Sequence, residues 1–222
     1  MSLSQLNERI ISCAKCDRLR EWCSVQEGTR KQFHGETYWA RPVPGFGDHK
    51  AELLIVGLAP AAHGANRTGR VFTGDTSGNL LLEALHRHGF SNKKQSRTSE
   101  DELQLQNVYI TNIVKCAPPQ NKPNATEFKA CREFLERELQ LLTNVKVILA
   151  VGGDAFNQTK RVLRKLGADV SKMKFGHGCS YGVGAEFPRL VGTYHTSRYN
   201  IDTKRITPDM VDDVFQEINN YI

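Results

Sequence analysis

The chain has 222 residues, 39% of them hydrophobic, and a formal net charge of +6. This length allows a well-packed core without disulfide bonds and predicts one domain over residues 1–222. No apolar stretch is long enough to span a bilayer, and the N-terminal residues lack the cationic and apolar run of a secretory signal. We therefore expect an intracellular protein with reduced thiols and no membrane partner, whose positive charge suits a partner made of phosphates.

Four short apolar runs, rich in β-branched residues, are typical of strands that are covered on both faces. They are Ala51–Gly57, Asn107–Val114, Val145–Val151 and Arg189–Tyr194.

Segments with helical periodicity lie between and after these runs. They cover Ser77–Phe90, Thr126–Leu142 and Gly153–Leu166, and a last helix begins with Thr207 as N-cap and Pro208 at the first helical position. This alternation predicts an α/β fold, a three-layer α/β/α sandwich around a four-stranded parallel sheet. Sites in such sheets lie beyond the carboxyl ends of the strands, so we expect the loops after the first, second and fourth runs to form one.

Four of the six cysteines form a pattern suited to binding metal. Cys13 and Cys16 are a Cys-x-x-Cys pair, and Cys116 and Cys131 supply two further thiols from the middle of the chain. Four thiolates are the ligand set of an iron–sulfur cluster or of a structural zinc, and the alternative is four buried thiols with no ion. Two cysteines have no partner at ligand spacing and are expected to be free small hydrophobes: Cys23 and Cys179.

A glycine-rich segment follows the first apolar run, from Gly57 to Gly78. Its small residues let backbone amides approach a ligand, and Gly69, Gly74 and Gly78 permit turns that other residues adopt at a cost. The segment has neither the Lys-Ser/Thr of a Walker motif nor the Gly-x-Gly-x-x-Gly of a dinucleotide fold, which disfavours an ordinary nucleotide-binding site.

Four motifs resemble those of the uracil-DNA glycosylase superfamily, most closely its B-type, family-five enzymes of bacteria and archaea. They are Gly57-Leu-Ala-Pro-Ala61, Thr68-Gly-Arg-Val-Phe-Thr-Gly-Asp75, Thr111-Asn-Ile-Val-Lys-Cys-Ala-Pro-Pro119 and Tyr194-His-Thr-Ser-Arg198.

The resemblance implies a DNA-repair enzyme that hydrolyses the N-glycosidic bond of uracil, and of other deaminated bases such as hypoxanthine, in DNA. It implies a [4Fe–4S] cluster, rather than zinc, at Cys13, Cys16, Cys116 and Cys131. It also implies a monomer that acts on DNA in a prokaryotic cytoplasm.

The catalytic roles follow from this resemblance and from the chemistry. Cleavage builds positive charge on the deoxyribose, which a carboxylate can stabilise, and negative charge on the departing base, which a donor can stabilise. The related A-type enzymes carry an acidic residue where this chain has Leu58, so Asp75 is the candidate carboxylate. His195 is the candidate donor, and Asn121, with Gln120 as the alternative, resembles a position that holds the water or the sugar.

Substrate contacts follow from the need to flip the base into a pocket. Phe72 resembles the family's stacking aromatic, and Asn112 has the donor and the acceptor that a uracil edge requires. Backbone amides in the glycine turns, beginning at Gly57, are expected to bind phosphate.

Arginine side chains are expected to add to this phosphate binding. The candidates are Arg67, Arg70 and Arg198. Tyr199 is a candidate wedge for the minor groove.

Each role has a structural alternative. Asp75 could cap a helix, Phe72 could be a core residue, Asn112 a satisfied buried amide and His195 a structural histidine. Two alternative functions also remain at this point: an A-type enzyme with specificity for uracil alone, and a non-catalytic iron–sulfur or zinc DNA-binding protein.

Overall fold

The structure, a computed structural model, describes all residues from 1 to 222. It contains one six-stranded sheet with the strand order β1-β3-β2-β4-β6-β5. The four central strands are parallel to one another, as predicted, and are β2 (Leu53–Gly57), β3 (Val108–Asn112), β4 (Val147–Val151) and β6 (Arg189–Thr193).

Two short antiparallel strands widen the sheet beyond the predicted four. β1 (Phe46–Gly47) pairs with β3, and β5 (Cys179–Tyr181) pairs with β6. Their residues are only partly buried, and neither strand is long enough to show an alternation of apolar and polar residues. The sheet is therefore mixed, with a parallel centre and antiparallel edges.

The four predicted helices are present, with ends within three residues of the predictions. Four shorter helices accompany them. The eight are α1 (Leu3–Ile11), α2 (Asp17–Ser24), α3 (Ala65–Thr68), α4 (Thr76–Arg87), α5 (Ala125–Leu141), α6 (Gly153–Lys165), α7 (Arg198–Asp202) and α8 (Pro208–Asn219).

Each face of the sheet is covered by its own hydrophobic cluster. Successive residues of β2 alternate between the two: Leu54 and Val56 pack in the cluster that includes Phe134 of α5, while Leu53 and Ile55 pack in the other. Helices α1, α5 and α6 pack together in the first layer, and α4 packs on α8 in the second. The predicted three-layer sandwich is confirmed.

The loops that leave the central strands come out at one edge of the sheet. The connections after β2, β3, β4 and β6 all begin there. None of the helices is both long and apolar enough to cross a membrane.

Candidate active site and cysteine cavity

A cavity of about 360 Å³ opens at the carboxyl ends of the central strands. Its walls come from the segments after all four parallel strands and from the start of α4. It is lined by Leu58, Ala59, Pro60, Ala61, Ala65, Phe72, Asp75, Ser77, Asn112, Asn121, Val151, Gly152, Gly153, Asp154, Ala155, His195 and Ser197. Three predicted catalytic residues and two predicted base-contacting residues therefore share one cavity.

Asp75 both caps a helix and lines the cavity. It is the N-cap of α4, and its Oδ1 accepts a hydrogen bond from the backbone N–H of Gly78 at 2.9 Å. Burial raises the pKa of this carboxyl, and the backbone N–H groups of Gly78 and Ser77 oppose that rise. The capping alternative and the site role are compatible, because the cap uses only part of the carboxylate's acceptor capacity.

The glycines near Asp75 have two different roles. Gly69 and Gly74 adopt positive φ angles of 76° and 79°, as predicted for turns. Gly78 does not. A Cβ at Gly78 would lie 2.0 Å from the carbonyl oxygen of Phe72, so the close approach of two backbone segments requires glycine there.

Phe72 and Asn112 meet over Gly57. A Cβ on Gly57 would lie 2.3 Å from Oδ1 of Asn112 and 2.9 Å from Cζ of Phe72. Phe72 itself is held at a φ of 51°, a left-handed conformation that is unusual for an aromatic residue and that tends to occur at functional sites. A side chain at position 57 would displace both groups from the cavity wall.

The side-chain amide of Asn112 is buried but makes no hydrogen bond within the protein. Asn112 is 3% exposed and lines the cavity. It makes no hydrogen bond to another side chain or to the backbone, in contrast to the neighbouring hydroxyl of Thr111, which donates to Glu138 at 2.8 Å. Both its donor and its acceptor therefore remain for a group in the cavity.

His195 follows β6 and packs against the backbone at Gly152, where a Cβ would lie 3.3 Å from Cβ of the histidine. Its backbone carbonyl accepts a hydrogen bond from the side chain of Asn200 at 2.8 Å. Burial lowers the pKa of His195 below its ordinary value. The imidazole is therefore held in its neutral form, which has one donor nitrogen and one acceptor nitrogen.

The turn after β3 brings Asn121, rather than Gln120, to the cavity. Both residues have left-handed φ angles, 57° and 54°. Only Asn121 lines the cavity, and it is solvent-exposed, as a residue at the rim is.

Asp154 is a cavity residue that sequence reasoning missed. It lies in the first turn of α6, directly after Gly152 and Gly153, and its side chain is exposed. The sequence did indicate this region. The predicted third strand ends at Val151, so the loop that follows it lies at the same edge of the sheet as the loops after the other three strands.

The predicted arginine contacts fall outside the cavity. Arg70 forms an ion pair with Asp101 and donates to Ser96 at 2.7 Å, while Arg67 is buried and pairs with Glu36 at 2.7 Å. These guanidinium groups hold loops in place, and binding phosphate through them would require these bonds to break. Their predicted phosphate role stays a prediction.

Exposed residues follow His195 on α7. Arg198 is solvent-exposed and lies 3.5 Å from Asp202, and Tyr199 is 71% exposed. The ring of Tyr199 is therefore accessible to a partner. The predicted wedge role of Tyr199 also stays a prediction.

The four predicted metal-binding cysteines line one small separate cavity. They are Cys13, Cys16, Cys116 and Cys131. No carboxylate or imidazole lines it, and its charged neighbours are the cations Lys15, Arg20 and Lys115. No three His, Cys, Asp or Glu side chains come close enough together to hold a single metal ion.

The pKa values of three of the thiols in this cavity, those of Cys16, Cys116 and Cys131, are raised above the ordinary value. Burial raises the pKa of Cys131 to about 11, and the pKa of Cys116 is raised by its hydrogen bond with Cys23 and by burial. Cys23, predicted to be a free thiol without a partner, is buried beside Cys116 and donates to the carbonyl of Ala117 at 3.6 Å. Any metal that binds here must displace protons from these sulfurs.

The sequence matches the family model described as the uracil DNA glycosylase superfamily over residues 44–219. It is 46% identical to a type-5 uracil-DNA glycosylase of Mycobacterium leprae over 97% of this chain and 94% of the relative, and 44% identical to one of Thermus thermophilus over 95% and 94%. A type-4 uracil-DNA glycosylase of Sulfurisphaera tokodaii is 30% identical over 92% of this chain and 80% of the relative.

A cavity beyond the carboxyl ends of the parallel strands is where α/β sheets of this kind bind their ligands. Together with these matches, it shows that the chain belongs to the uracil-DNA glycosylase superfamily. The predicted resemblance to the type-5 branch is confirmed.

Proposed function

We propose that this protein hydrolyses the N-glycosidic bond between uracil and deoxyribose in DNA, with Asp75, Asn121 and His195 around the reacting bond. The observation that carries this is the meeting, in one cavity, of the partly buried carboxylate of Asp75, a neutral histidine and an asparagine amide that makes no hydrogen bond within the protein. These groups match the charges that develop as the bond breaks.

The carboxylate of Asp75 acts on the sugar side. As the bond lengthens, positive charge grows on the deoxyribose ring, and a negative charge held nearby lowers the energy of that state. Burial that raises the pKa of Asp75 also makes its charge effective, because a poorly solvated charge interacts more strongly with the substrate. Asn121, at the rim of the cavity, holds the attacking water in this proposal.

His195 acts on the base side. A neutral imidazole donates a hydrogen bond to a carbonyl oxygen of uracil and stabilises the negative charge that the base carries away. The lowered pKa of His195 fits this role, because the charged form is not needed for donation. Phe72 supplies a flat surface for the flipped base, and Asn112 pairs with its edge.

The substrate range extends beyond uracil. Leu58, which is apolar, stands in the cavity wall where A-type enzymes carry an acidic residue, so this wall has fewer polar groups with which to select uracil alone. We expect measurable removal of hypoxanthine. An enzyme restricted to uracil, as the A-type resemblance would imply, is the second candidate, and the higher identity to type-5 than to type-4 relatives disfavours it.

The cysteine cavity is proposed to hold a [4Fe–4S] cluster. An all-thiol donor set with cationic neighbours suits a cluster that carries negative charge with its four thiolates. The resemblance to the type-5 enzymes favours the cluster over a structural zinc, for which four thiolates are also a suitable ligand set. Bound there, the cluster would supply a covalent tie between α2, the end of β3 and α5.

The protein is also proposed to act as a monomer in a prokaryotic cytoplasm, where genomic DNA is its substrate.

An alkaline-cleavage assay on a labelled oligonucleotide with one uracil tests the proposal. The enzyme converts uracil to an abasic site, so alkali cuts the strand there, whereas a non-catalytic binding protein leaves it intact. A parallel oligonucleotide with hypoxanthine tests the range, and one with thymine is the control. Binding without cleavage of the uracil strand would refute the enzymatic proposal.

A further inference from the structure

A buried ion pair lies at the cysteine cavity, which Lys115 lines. Nζ of Lys115 donates to both carboxylate oxygens of Glu138, at 2.8 and 2.9 Å, and to Oγ1 of Thr111 at 2.5 Å. Oγ1 of Thr111 in turn donates to Glu138 at 2.8 Å. All three residues are buried, with exposures of 1% or less. We call these three residues the buried triad.

The triad is an unusual arrangement for a domain of this kind. Charged side chains are rarely fully buried, and replacing such a pair with apolar residues often leaves a protein as stable or more so. Stability therefore does not explain why the chain buries Lys115 and Glu138. Their burial is explained instead by a role in fixing a single geometry of the segments that carry them.

Two members of the triad are next to residues with a proposed function, and the third lies on the same helix as one. Thr111 precedes Asn112, the base-contacting amide at the end of β3. Lys115 precedes Cys116, and Lys115, Cys116 and Cys131 line the same cavity. Glu138 lies on α5, two turns after Cys131. The triad therefore joins the last residues of β3, the following turn and α5.

We infer that the buried triad positions Asn112 relative to the cysteine site, so that base recognition and cluster retention depend on the same three side chains. The inference rests on the proposed function for the roles of Asn112 and of the cysteines. Lys115, Glu138 and Thr111 are positioning residues, since none of them lines the cavity in which the base would lie.

The inference makes a specific prediction for an apolar replacement. The double variant Lys115→Met/Glu138→Leu removes both charges together, so neither is left unpaired, and Thr111→Val removes only the hydroxyl. Single-turnover excision of uracil should fall about tenfold to a hundredfold in the double variant, because a small misplacement of a substrate-contacting group has effects of that size. Affinity for abasic DNA, which has no base for Asn112 to contact, should stay within about twofold.

A second readout does not depend on activity. Iron release from the purified holoprotein in the presence of a chelator, followed by visible absorption, should be several-fold faster in the double variant and in Thr111→Val. The matched control is Glu136→Gln, which removes a carboxylate of the same helix that pairs with Lys165 at the surface. It should change neither excision nor iron release.

The decisive comparison uses the Asn112→Ala background. If the triad acts through Asn112, adding the double replacement or Thr111→Val to Asn112→Ala should reduce excision no further. Full additivity there, or unchanged excision and iron release in a folded double variant, would overturn the inference. Failure of the unaltered protein to cut uracil-containing DNA would instead refute the proposed function, so the two failures are distinguishable.

Discussion

Asp75 and Gly64 are in direct steric contact: a Cβ on Gly64 would lie 2.2 Å from Oδ2 of Asp75. The loop after β2 therefore fixes one carboxylate oxygen, while the start of α4 fixes the other through the backbone N–H of Gly78. The orientation of the carboxylate is determined by two backbone segments rather than by other side chains.

This contact predicts that Gly64→Ala reduces catalysis without touching a charged residue. The new methyl group must push Asp75 aside, and a displacement of this kind reduces the rate by about a hundredfold. Single-turnover excision of uracil is the measurement. Gly176→Ala is the control, since nothing lies within 4 Å of the position of its new methyl group. Equal rates for Gly64→Ala and the unaltered enzyme would show that the contact does not matter.

The pH dependence of excision should show a loss of activity on the acid side. Burial raises the pKa of Asp75, so the carboxylate that the mechanism needs is protonated as pH falls through a value above the usual aspartate range of about 3.9. His195 contributes no loss near neutral pH, because its pKa is lowered and its neutral form is the active one. Rates measured from pH 4 to 8 with a saturating enzyme concentration test this, and a rate that rises as the pH is lowered would contradict it.

Purified protein should be brown and should contain about four irons per chain. Cys16→Ala should lose iron and much of its folded fraction together, because the cluster ties α2 to the middle of the chain. Cys179→Ala, a half-buried thiol outside the cysteine cavity, is the control and should keep its iron. Zinc without iron after anaerobic purification would contradict the cluster proposal.

Binding to DNA should weaken steeply as salt is raised, since each neutralised phosphate releases counterions. Arg198→Ala should weaken binding of any sequence and reduce the salt slope by about one. Arg137→Ala removes an equally exposed arginine from the far end of α5 and should leave both quantities unchanged. Affinity for abasic DNA that does not change with salt would exclude a phosphate-binding surface.

The fold could be predicted where the chain has long regular patterns. The four central strands and the helices α4, α5, α6 and α8 follow from apolar periodicity, which is a property of neighbouring residues. The edge strands β1 and β5 and the short helix α3 could not be predicted, because a segment of two to four residues is too short to show a periodic pattern of apolar residues. That the chain forms one domain over residues 1–222 stays a prediction.

Part of the site could be predicted, because some of its residues belong to local sequence motifs. Asp75, Asn112 and His195 follow strand ends and belong to recognisable motifs, so the sequence indicates them. The packing of Gly64 against Asp75 and the buried pairing of Lys115 with Glu138 depend on residues far apart in the chain. A lysine in a sequence is expected at the surface, and only the packing of α5 against β3 shows that Lys115 is buried.

Asp75→Asn separates the two roles of this residue. Asparagine caps helices as well as aspartate does, so the start of α4 is kept, whereas Asp75→Ala should destabilise the protein by about 1 kcal/mol through the lost cap. The folded-state pKa of Asp75 is raised, so the unfolded chain binds fewer protons and the ionised group reduces stability at neutral pH. Asp75→Asn should therefore melt at or above the temperature of the unaltered protein at pH 7.

The most direct test of the account is the single-turnover rate of uracil excision by Asp75→Asn, measured beside its affinity for abasic DNA. With the helix cap intact and the charge removed, the rate should fall on the order of a hundred- to a thousandfold, and the affinity for abasic DNA should be unchanged. A rate comparable to that of the unaltered enzyme would show that the carboxylate of Asp75 does not stabilise the developing charge, and the proposed mechanism would be wrong.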